Sequence, residues 1–327
     1  MNYFLQHSDF LYTRIMLFSW ECESDLTNFS ETNGEFFVSQ LDKNLKVLDI
    51  NTIVVNCNNV LDIDDHFIDP ILKYQKNKGL DIILYSDDSS IKLPKYCSEH
   101  IDNNGVNVFL KEGERGVYYF CGNSISSSKL SELIDEAELL EQKKVVNLIK
   151  ESYSEKKQEL SSTPLLASGI FNATKLLSDP SKFRWLTLLM VDGITKCLMK
   201  ERAASCSIVS SSLRGASIAG SVREIIHFLV PTELFLFDHI GPKHDFNFNP
   251  NHKEIKPNSL CIYIGDFLIA GTELKVTQAY CNLFSGKIDY AFVLGKYTRK
   301  DKLCGDINVH SLVQLKECVS NLKYELE

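Results

Sequence analysis

The sequence predicts an α/β protein in which a parallel sheet with helices on both faces is preceded by a smaller α/β domain. The length of 327 residues is enough for two ordinary domains. Hydrophobic residues make up 44% of the chain and charged residues 24%, which is a globular composition. In the second half, helical patterns alternate with nearly continuous apolar runs, as expected of parallel strands that are buried on both faces.

Composition divides the chain into three regions. Residues 1–122 form the predicted smaller α/β domain, 123–160 an amphipathic helical linker and 161–327 the larger domain. In the first region, NTIVVNC (Asn51–Cys57) and LDIILYS (Leu80–Ser86) have the pattern of strands, and a helical pattern separates them. This order predicts a parallel pair of strands with a crossover helix.

The predicted linker carries apolar residues at helical spacing from Leu130 to Ile149, with charged residues between them. The serines of GNSISSSK precede this stretch and can cap a helix. We expect one long helix or two, whose apolar stripe docks on its own domain or on a second copy of the chain. A coiled coil that recruits a protein partner is the alternative.

The third region alternates helices and strands. Predicted helices are Pro180–Glu201, Gly215–Leu229 and one from Thr272, and predicted strands are Cys206–Ser212, Glu233–His239, Leu260–Asp266 and Tyr290–Gly295. Ligands of such sheets bind outside the carboxyl ends of the strands. The loops that follow these strands are therefore the candidate site.

Charge and composition exclude several classes of protein. The net charge of -8 argues against direct binding of nucleic acid, which depends on Lys and Arg meeting phosphates. Asp9 and Arg14 interrupt the first apolar stretch, and no apolar run reaches the roughly 20 residues of a membrane helix. The 10 cysteines include no C-x-x-C pair, so we expect reduced thiols in a cytoplasmic protein that does not contact a membrane.

The first candidate loop is SSSLRGASIAG, which contains Ser212, Arg214 and Gly215. The glycine allows the backbone to approach a ligand closely, and the small residues after it would leave amide groups uncovered at a helix N-terminus. The guanidinium fork of Arg214 suits a phosphate or a pyrophosphate. A tight turn with a solvated arginine is the alternative interpretation.

The second candidate loop is CIYIGDFLIAGTELK, which passes from a strand into a helix. Asp266 at the end of the strand can accept hydrogen bonds from ligand hydroxyls or help to hold a hydrated Mg²⁺. Ala270, Gly271 and Thr272 offer backbone amides and one hydroxyl to a phosphate monoester. A strand–turn–helix corner without a ligand is the alternative.

The third candidate is the polar loop from His239 to Pro257. Loops of this length are usually functional lids or flexible segments. Lys243 and His244 would place positive charge over a polyanionic ligand if the loop closed. A solvated, flexible loop without a role in binding is the alternative interpretation.

In this order, the three loops resemble those of type I phosphoribosyltransferases, specifically orotate phosphoribosyltransferase. GDFLIAGT is similar to the family's signature for phosphoribosyl diphosphate (PRPP), which has two acids, an apolar pair and Thr-Ala-Gly-Thr; Asp266 matches the second acid. VSSSLRGASIAGSV is similar to the pyrophosphate loop, with Arg214 where lysine is common. INVHSLVQLKECV resembles the closing strand and helix, and LLASGIFNATKLLSDPSKFRWLTLLM the opening segment, so the resemblance covers residues 161–327.

The resemblance implies a transferase that binds PRPP with Mg²⁺ and passes its phosphoribosyl group to a nucleobase. It places Ser212, Arg214 and Gly215 at the pyrophosphate, Ala270–Thr272 at the 5′-phosphate and Asp266 at the ribose. It places Lys243 and His244 at the leaving group. The expected catalytic residues are Lys243, His244 and Asp266. No side chain is expected to ligate a metal by itself. The lid of orotate-type relatives reaches a neighbour's site, which implies a homodimer.

Two positions depart from the family pattern, since Gly265 replaces the first acid and Ile269 a threonine. Each lost hydrogen bond to a charged group is worth about 1.5–3 kcal/mol, so we expect the PRPP affinity to be lower by about two orders of magnitude or more. The alternative function is a degenerate relative that senses PRPP or a nucleotide, or an accessory or effector subunit of a bacterial multi-protein system such as anti-phage defence.

The first region resembles STAS-like domains, which bind partners and nucleotides, and it is a candidate surface for a protein partner. Asp62, Asp64, Asp65 and Asp69 form either a phosphoacceptor or metal cluster or a set of acids at a helix N-terminus. The second interpretation needs no function, because the helix dipole by itself favours carboxylates at a helix N-terminus.

Overall fold

The computed structural model describes residues 4–12, 15–22, 28–29, 35, 38–39, 52–56, 62–63, 70, 73–74, 77–79, 81–86, 106–111, 115–120, 127–156, 158–159, 165–237, 254–256, 258–298 and 301–326. They belong to two compact units, Met1–Lys144 and Val145–Glu327. The boundary between the units falls inside α1 (Ser127–Glu151), a single helix of 25 residues. The domain limits inferred from composition stay predictions.

The stripe of α1 is buried as its spacing predicts. Its least exposed apolar residues recur every three or four positions: Leu133, Ile134, Ala137, Val145, Leu148 and Ile149. None of the described helices is long and apolar enough to cross a membrane.

The first unit contains a six-stranded mixed sheet. Its strands are β1 (Phe4–Tyr12), β2 (Ile15–Cys22), β4 (Thr52–Asn56), β6 (Asp81–Ser86), β7 (Val106–Lys111) and β8 (Arg115–Phe120), in the order β1-β2-β4-β6-β8-β7. The three strands β2, β4 and β6 are parallel, which confirms the predicted parallel pair, and the other pairings are antiparallel. Two short strands, β3 (Asn28–Phe29) and β5 (Asp62–Ile63), pair with each other.

The core of this sheet is covered on both faces. Ile53 and Val54 are adjacent in β4, and Ile82 and Ile83 are adjacent in β6, yet all four side chains have 0% exposure. Because neighbouring residues of a strand point to opposite faces, burial of both requires packing on both sides of the sheet.

The second unit contains the larger sheet. Its strands are β13 (Cys206–Ser210), β14 (Thr232–Leu236), β15 (Leu260–Leu268), β16 (Tyr290–Lys296), β17 (Lys302–Leu303) and β18 (Ile307–Gln314), in the order β14-β13-β15-β16-β18-β17. All pairings are parallel except that of β17, which lies antiparallel at the edge. The predicted α/β class with a parallel sheet is confirmed.

Helices cover this sheet on both faces. The unit contains α2 (Ala173–Leu177), α3 (Pro180–Glu201), α4 (Leu213–Ile226), α5 (Thr272–Leu283) and α6 (Leu315–Cys318). Gly193 of α3 packs directly on Phe292 of β16, whereas Tyr280 of α5 belongs to a core cluster with the neighbouring residues Ala291 and Val293. Residues that alternate along β16 thus meet helices on opposite faces.

Short antiparallel strands complete the second unit. β9 (Tyr153–Ser154) pairs with β12 (Ile170–Phe171). β11 (Leu165–Ala167) lies between β10 (Gln158–Glu159) and β19 (Tyr324–Leu326). The pairing of β11 with β19 joins the two ends of this unit.

Several predicted limits shift by a few residues for local reasons. β13 ends at Ser210 rather than Ser212, because Ser212 is the N-cap of α4 and the helix begins at Leu213. β15 continues past Asp266 to Leu268, because Phe267 and Leu268 pair with β16. Asp266 therefore lies inside β15, two residues before its end.

Candidate functional site

The two motif-bearing strands are neighbours in the sheet. β13 and β15 pair in parallel from Cys206↔Leu260 to Val209↔Tyr263, so the loops after both strands leave from the same edge. This edge is where parallel sheets bind ligands.

Ser212 organises the first loop. Its Oγ accepts a hydrogen bond from the Gly215 amide at 3.1 Å, and its carbonyl accepts one from the Ala216 amide at 2.7 Å. This is an ordinary N-cap. It corrects the expectation that these small residues leave their amides open to a ligand, because both amides are bonded to Ser212.

Position 215 requires glycine because the start of α4 lies very close to β13 and β15. A Cβ at this position would lie 2.5 Å from Ser210 Oγ and 2.9 Å from the Ile264 carbonyl oxygen. Ser210 Oγ also donates to that carbonyl at 2.8 Å. The absence of a side chain at Gly215 thus lets the start of α4 lie directly against β15.

Arg214 and Asp266 meet at this edge. Arg214 Nε lies 2.8 Å from Asp266 Oδ2, and the side chains are 46% and 11% exposed. The other carboxylate oxygen, Oδ1, accepts a hydrogen bond from the Phe267 amide at 2.7 Å. Arg214 and Asp266, which were predicted as site residues from two separate motifs, are therefore in direct contact.

The second loop ends in a helix N-terminus without a side-chain cap. Gly271 is the N-cap of α5 and has φ 74°, a left-handed conformation that favours glycine. The first intrahelical bond is donated by the Lys275 amide to the Gly271 carbonyl at 3.0 Å. Within the described part of the chain no side chain caps this helix start, and an uncapped helix N-terminus is a type of site that can bind an anion.

Glu273 belongs to the same edge, although the motif comparison did not select it. Its Oε1 accepts a hydrogen bond from Ser211 Oγ at 2.9 Å, which ties the first turn of α5 to the loop after β13. Burial and the nearby Asp266 carboxylate raise the pKa of Glu273, while the Ser211 hydroxyl and the Arg214 guanidinium act in the opposite direction. An acid in a first helical turn beside a phosphate-loop motif is the sequence feature that could have identified it.

Tyr263 occupies the space beside Gly265. A Cβ at position 265 would lie 2.8 Å from the Tyr263 hydroxyl oxygen and 2.9 Å from its Cε1. The tyrosine is 3% exposed, and burial, followed by the Glu273 carboxylate, raises its pKa well above the ordinary value. Residues two apart on a strand share a face, so a mid-strand glycine following an aromatic residue indicates this contact.

The remaining predicted residues divide into two groups. Ala270 is exposed at the turn before α5, and Ile269 beside it is half-buried. Lys243, His244 and most of the polar loop lie outside the described residues. Across the described ranges, no group of three or more His, Cys, Asp or Glu side chains is arranged to hold a metal ion.

A small cavity lies at the opposite end of the sheet. It has a volume of about 170 Å³ and is lined by the first residues of β15 and β16, together with Glu201, Asp289 and Asp306. The Tyr290 hydroxyl donates to Glu201 Oε1 at 2.6 Å in this region. The cavity is therefore separate from the edge that carries Arg214 and Asp266.

No protein-family model matches this sequence, and no curated protein matches it. Solved structures do resemble it. An orotate phosphoribosyltransferase from Aeropyrum pernix is 14% identical with a TM-score of 0.40, over 54% of this chain and 96% of that one. An adenine phosphoribosyltransferase from Trypanosoma brucei, in complex with AMP, pyrophosphate and ribose-5-phosphate, is 12% identical with a TM-score of 0.39, over 54% of this chain and 82% of that one.

A UMP synthase from Leishmania donovani is also similar to this chain. The identity is 10% and the TM-score 0.38, over 88% of this chain and 75% of that one. At these identities the similarity says nothing of the chemistry of this chain. The first two of these structures are phosphoribosyltransferases, the family whose motifs this sequence resembles.

Proposed function

We propose that the second unit binds PRPP with Mg²⁺ at the carboxyl ends of β13 and β15. We further propose that it transfers the phosphoribosyl group to a nitrogen of a nucleobase-like acceptor. The contact between Arg214 and Asp266 is the main support, because it joins the pyrophosphate-loop motif to the ribose-binding motif. The Ser211–Glu273 hydrogen bond links the same two loops a second time.

Each part of PRPP has a matching group at this edge. The guanidinium of Arg214 can bind the pyrophosphate bidentately once it leaves Asp266. The Asp266 carboxylate can then accept hydrogen bonds from the ribose hydroxyls. The uncapped start of α5, at Gly271 and Thr272, suits the 5′-phosphate, since exposed amides and the helix dipole both favour an anion there.

Mg²⁺ fits this site as a partner of PRPP and not as an ion held by the protein alone. Mg²⁺ typically binds through one or two carboxylates together with substrate phosphates and water. Asp266 and Glu273 are carboxylates at this edge that could help to hold it. When bound, the ion would neutralise charge on the pyrophosphate as it departs.

The proposed reaction needs no covalent intermediate. A nitrogen lone pair of the acceptor forms the new bond to carbon 1 of the ribose, and the bond from that carbon to the pyrophosphate oxygen breaks. The pyrophosphate leaves with the electron pair of the broken bond, and the acceptor nitrogen loses a proton. Arg214 would stabilise the charge that grows on the leaving group.

The experiment is calorimetric titration with PRPP in the presence of Mg²⁺, run beside an assay for pyrophosphate release with a panel of purine and pyrimidine bases. Binding together with release by at least one base is the expected result. Binding without release from any base would contradict the transfer step and indicate a PRPP sensor. Absence of PRPP binding would overturn the whole proposal.

The assembly and surroundings of the protein are also proposals. We propose a cytoplasmic homodimer, because the lid residues Lys243 and His244 resemble those that act across a dimer in orotate-type relatives. We propose that the first unit or α1 contacts a protein partner. Light scattering of the purified chain tests the dimer, and a monomer at micromolar concentration would contradict it.

A further inference from the structure

We propose that Glu273 supplies the second carboxylate of the site, in place of the side chain missing at Gly265. With Asp266 it would bind PRPP through Mg²⁺. This inference rests on the proposed function and adds a residue that the sequence motifs do not select.

An acid at position 265 would clash with Tyr263 in this fold. The ring of Tyr263 occupies the space that a side chain would need, with its hydroxyl oxygen 2.8 Å from an ideal Cβ. The phenol cannot replace the missing charge, because it is 3% exposed and burial raises its pKa. A second negative charge at this edge must therefore come from another element.

Glu273 reaches the same edge from α5. Its carboxylate is held by Ser211 at 2.9 Å, and Ser211 lies one residue before the cap of the helix that carries Arg214. Arg214 in turn lies 2.8 Å from Asp266. Two side-chain contacts thus span the same pair of loops, one through each carboxylate.

The electrostatics agree with this placement. The charge of Asp266 raises the pKa of Glu273 and the charge of Arg214 lowers it, as expected when two carboxylates lie near one guanidinium. Glu273 is partly buried, and burial is the largest cause of the rise in its pKa.

The charge of this edge calls for a cation when PRPP binds. Two carboxylates and one guanidinium leave a net negative charge, and PRPP is itself a polyanion. A divalent ion that bridges the carboxylates and the ligand oxygens removes this repulsion, and Mg²⁺ prefers such oxygen ligands. Glu273 would then favour binding only when Mg²⁺ is present.

The test compares PRPP affinity by calorimetry with Mg²⁺ and with EDTA. The wild type is compared with Glu273→Gln and with Glu224→Gln, a control that removes an exposed glutamate near the far end of α4. We expect Glu273→Gln to weaken binding by about tenfold in Mg²⁺, the cost of one charged contact. In EDTA the variant should not weaken binding, because the loss of a negative charge lowers the repulsion of the ligand. The control should match the wild type under both conditions.

The outcomes separate this inference from the proposed function. Wild-type binding with an unchanged Glu273→Gln affinity in Mg²⁺ would overturn the role of Glu273 alone, as would an equal loss with and without Mg²⁺. A wild type that does not bind PRPP would overturn the proposed function. If Glu273→Gln fails to fold, Glu273→Asp keeps the charge but shortens the side chain, and wild-type affinity in that variant would contradict the inference.

Discussion

The guanidinium of Arg214 lies 2.8 Å from the Asp266 carboxylate at the carboxyl edge of the parallel sheet. The arginine side chain is 46% exposed, so solvent screens its end of the pair, and the contact contributes about 1 kcal/mol to folding. Under the proposed function, Arg214 exchanges this contact for one with the pyrophosphate.

Arg214→Ala should weaken PRPP binding with little effect on stability. We expect a loss of affinity of about 10- to 100-fold, because a charged hydrogen-bonding group is removed from the ligand. The free energy of unfolding should change by less than about 1 kcal/mol. Calorimetry and urea denaturation measure the two quantities, with Arg223→Ala on the same helix as the control. Equal losses of affinity in both variants would contradict a specific role for Arg214.

Gly215→Ala should destabilise the protein by about 1–3 kcal/mol, the usual cost of forcing a methyl group into a packed site. The new Cβ would lie 2.5 Å from Ser210 Oγ and 2.9 Å from a backbone oxygen that cannot move independently of β15. Gly220 on the same helix has nothing within 4 Å of its Cβ position and is the matched control. Gly220→Ala should stabilise the protein by up to about 1 kcal/mol. Urea denaturation measures the free energy of unfolding of both variants. Similar effects of the two changes would refute the close approach at Gly215.

Gly265→Asp, which restores the acid of the family pattern, should not improve PRPP binding. The Tyr263 ring fills the space, so we expect a loss of about 1–3 kcal/mol in unfolding free energy. Combining it with Tyr263→Ala should recover part of that loss, with a coupling of about 0.5–3 kcal/mol in a double-mutant cycle. Additive effects in this cycle would show that the two positions do not compete for space.

Glu273→Gln should stabilise the ligand-free protein at neutral pH. Because the fold raises the pKa of Glu273, the folded state holds this proton more tightly than the unfolded state. Ionisation therefore costs stability as the pH rises above the unfolded value of about 4.3. The advantage of Glu273→Gln should appear above that pH and vanish below it, in urea denaturation at several pH values. Glu224→Gln is the control at an exposed position of α4, and an advantage of Glu273→Gln that is independent of pH would contradict the assignment.

Lys243→Ala should slow turnover more than it weakens PRPP binding, because a lid residue that stabilises the leaving group acts mainly in the transition state. We expect kcat to fall by about 100-fold, as for removal of one transition-state donor. Steady-state kinetics and calorimetry give the two values, with Lys287→Ala as a control outside the site. A loss of affinity as large as the loss in kcat would argue against action in the transition state.

Much of the fold follows from local pattern. The helix Pro180–Glu201 has the predicted limits, and α5 begins at the predicted Thr272. These elements carry their own start signals, a proline in the first turn and a glycine in a left-handed turn. The parallel pairing of β13 with β14 and of β15 with β16 also follows, because a helix separates the two strands of each pair.

Which side chains share the site depends on contacts between distant segments. Sequence alone determined that acids, an arginine and a glycine-containing phosphate loop occur at the ends of buried strands, since strand and helix signals are local. Tertiary structure decided that Arg214 pairs with Asp266 and that Glu273 binds Ser211. These two relationships depend on the pairing of β13 with β15 and on the approach of α4 and α5 to the sheet, which no single segment of the chain specifies.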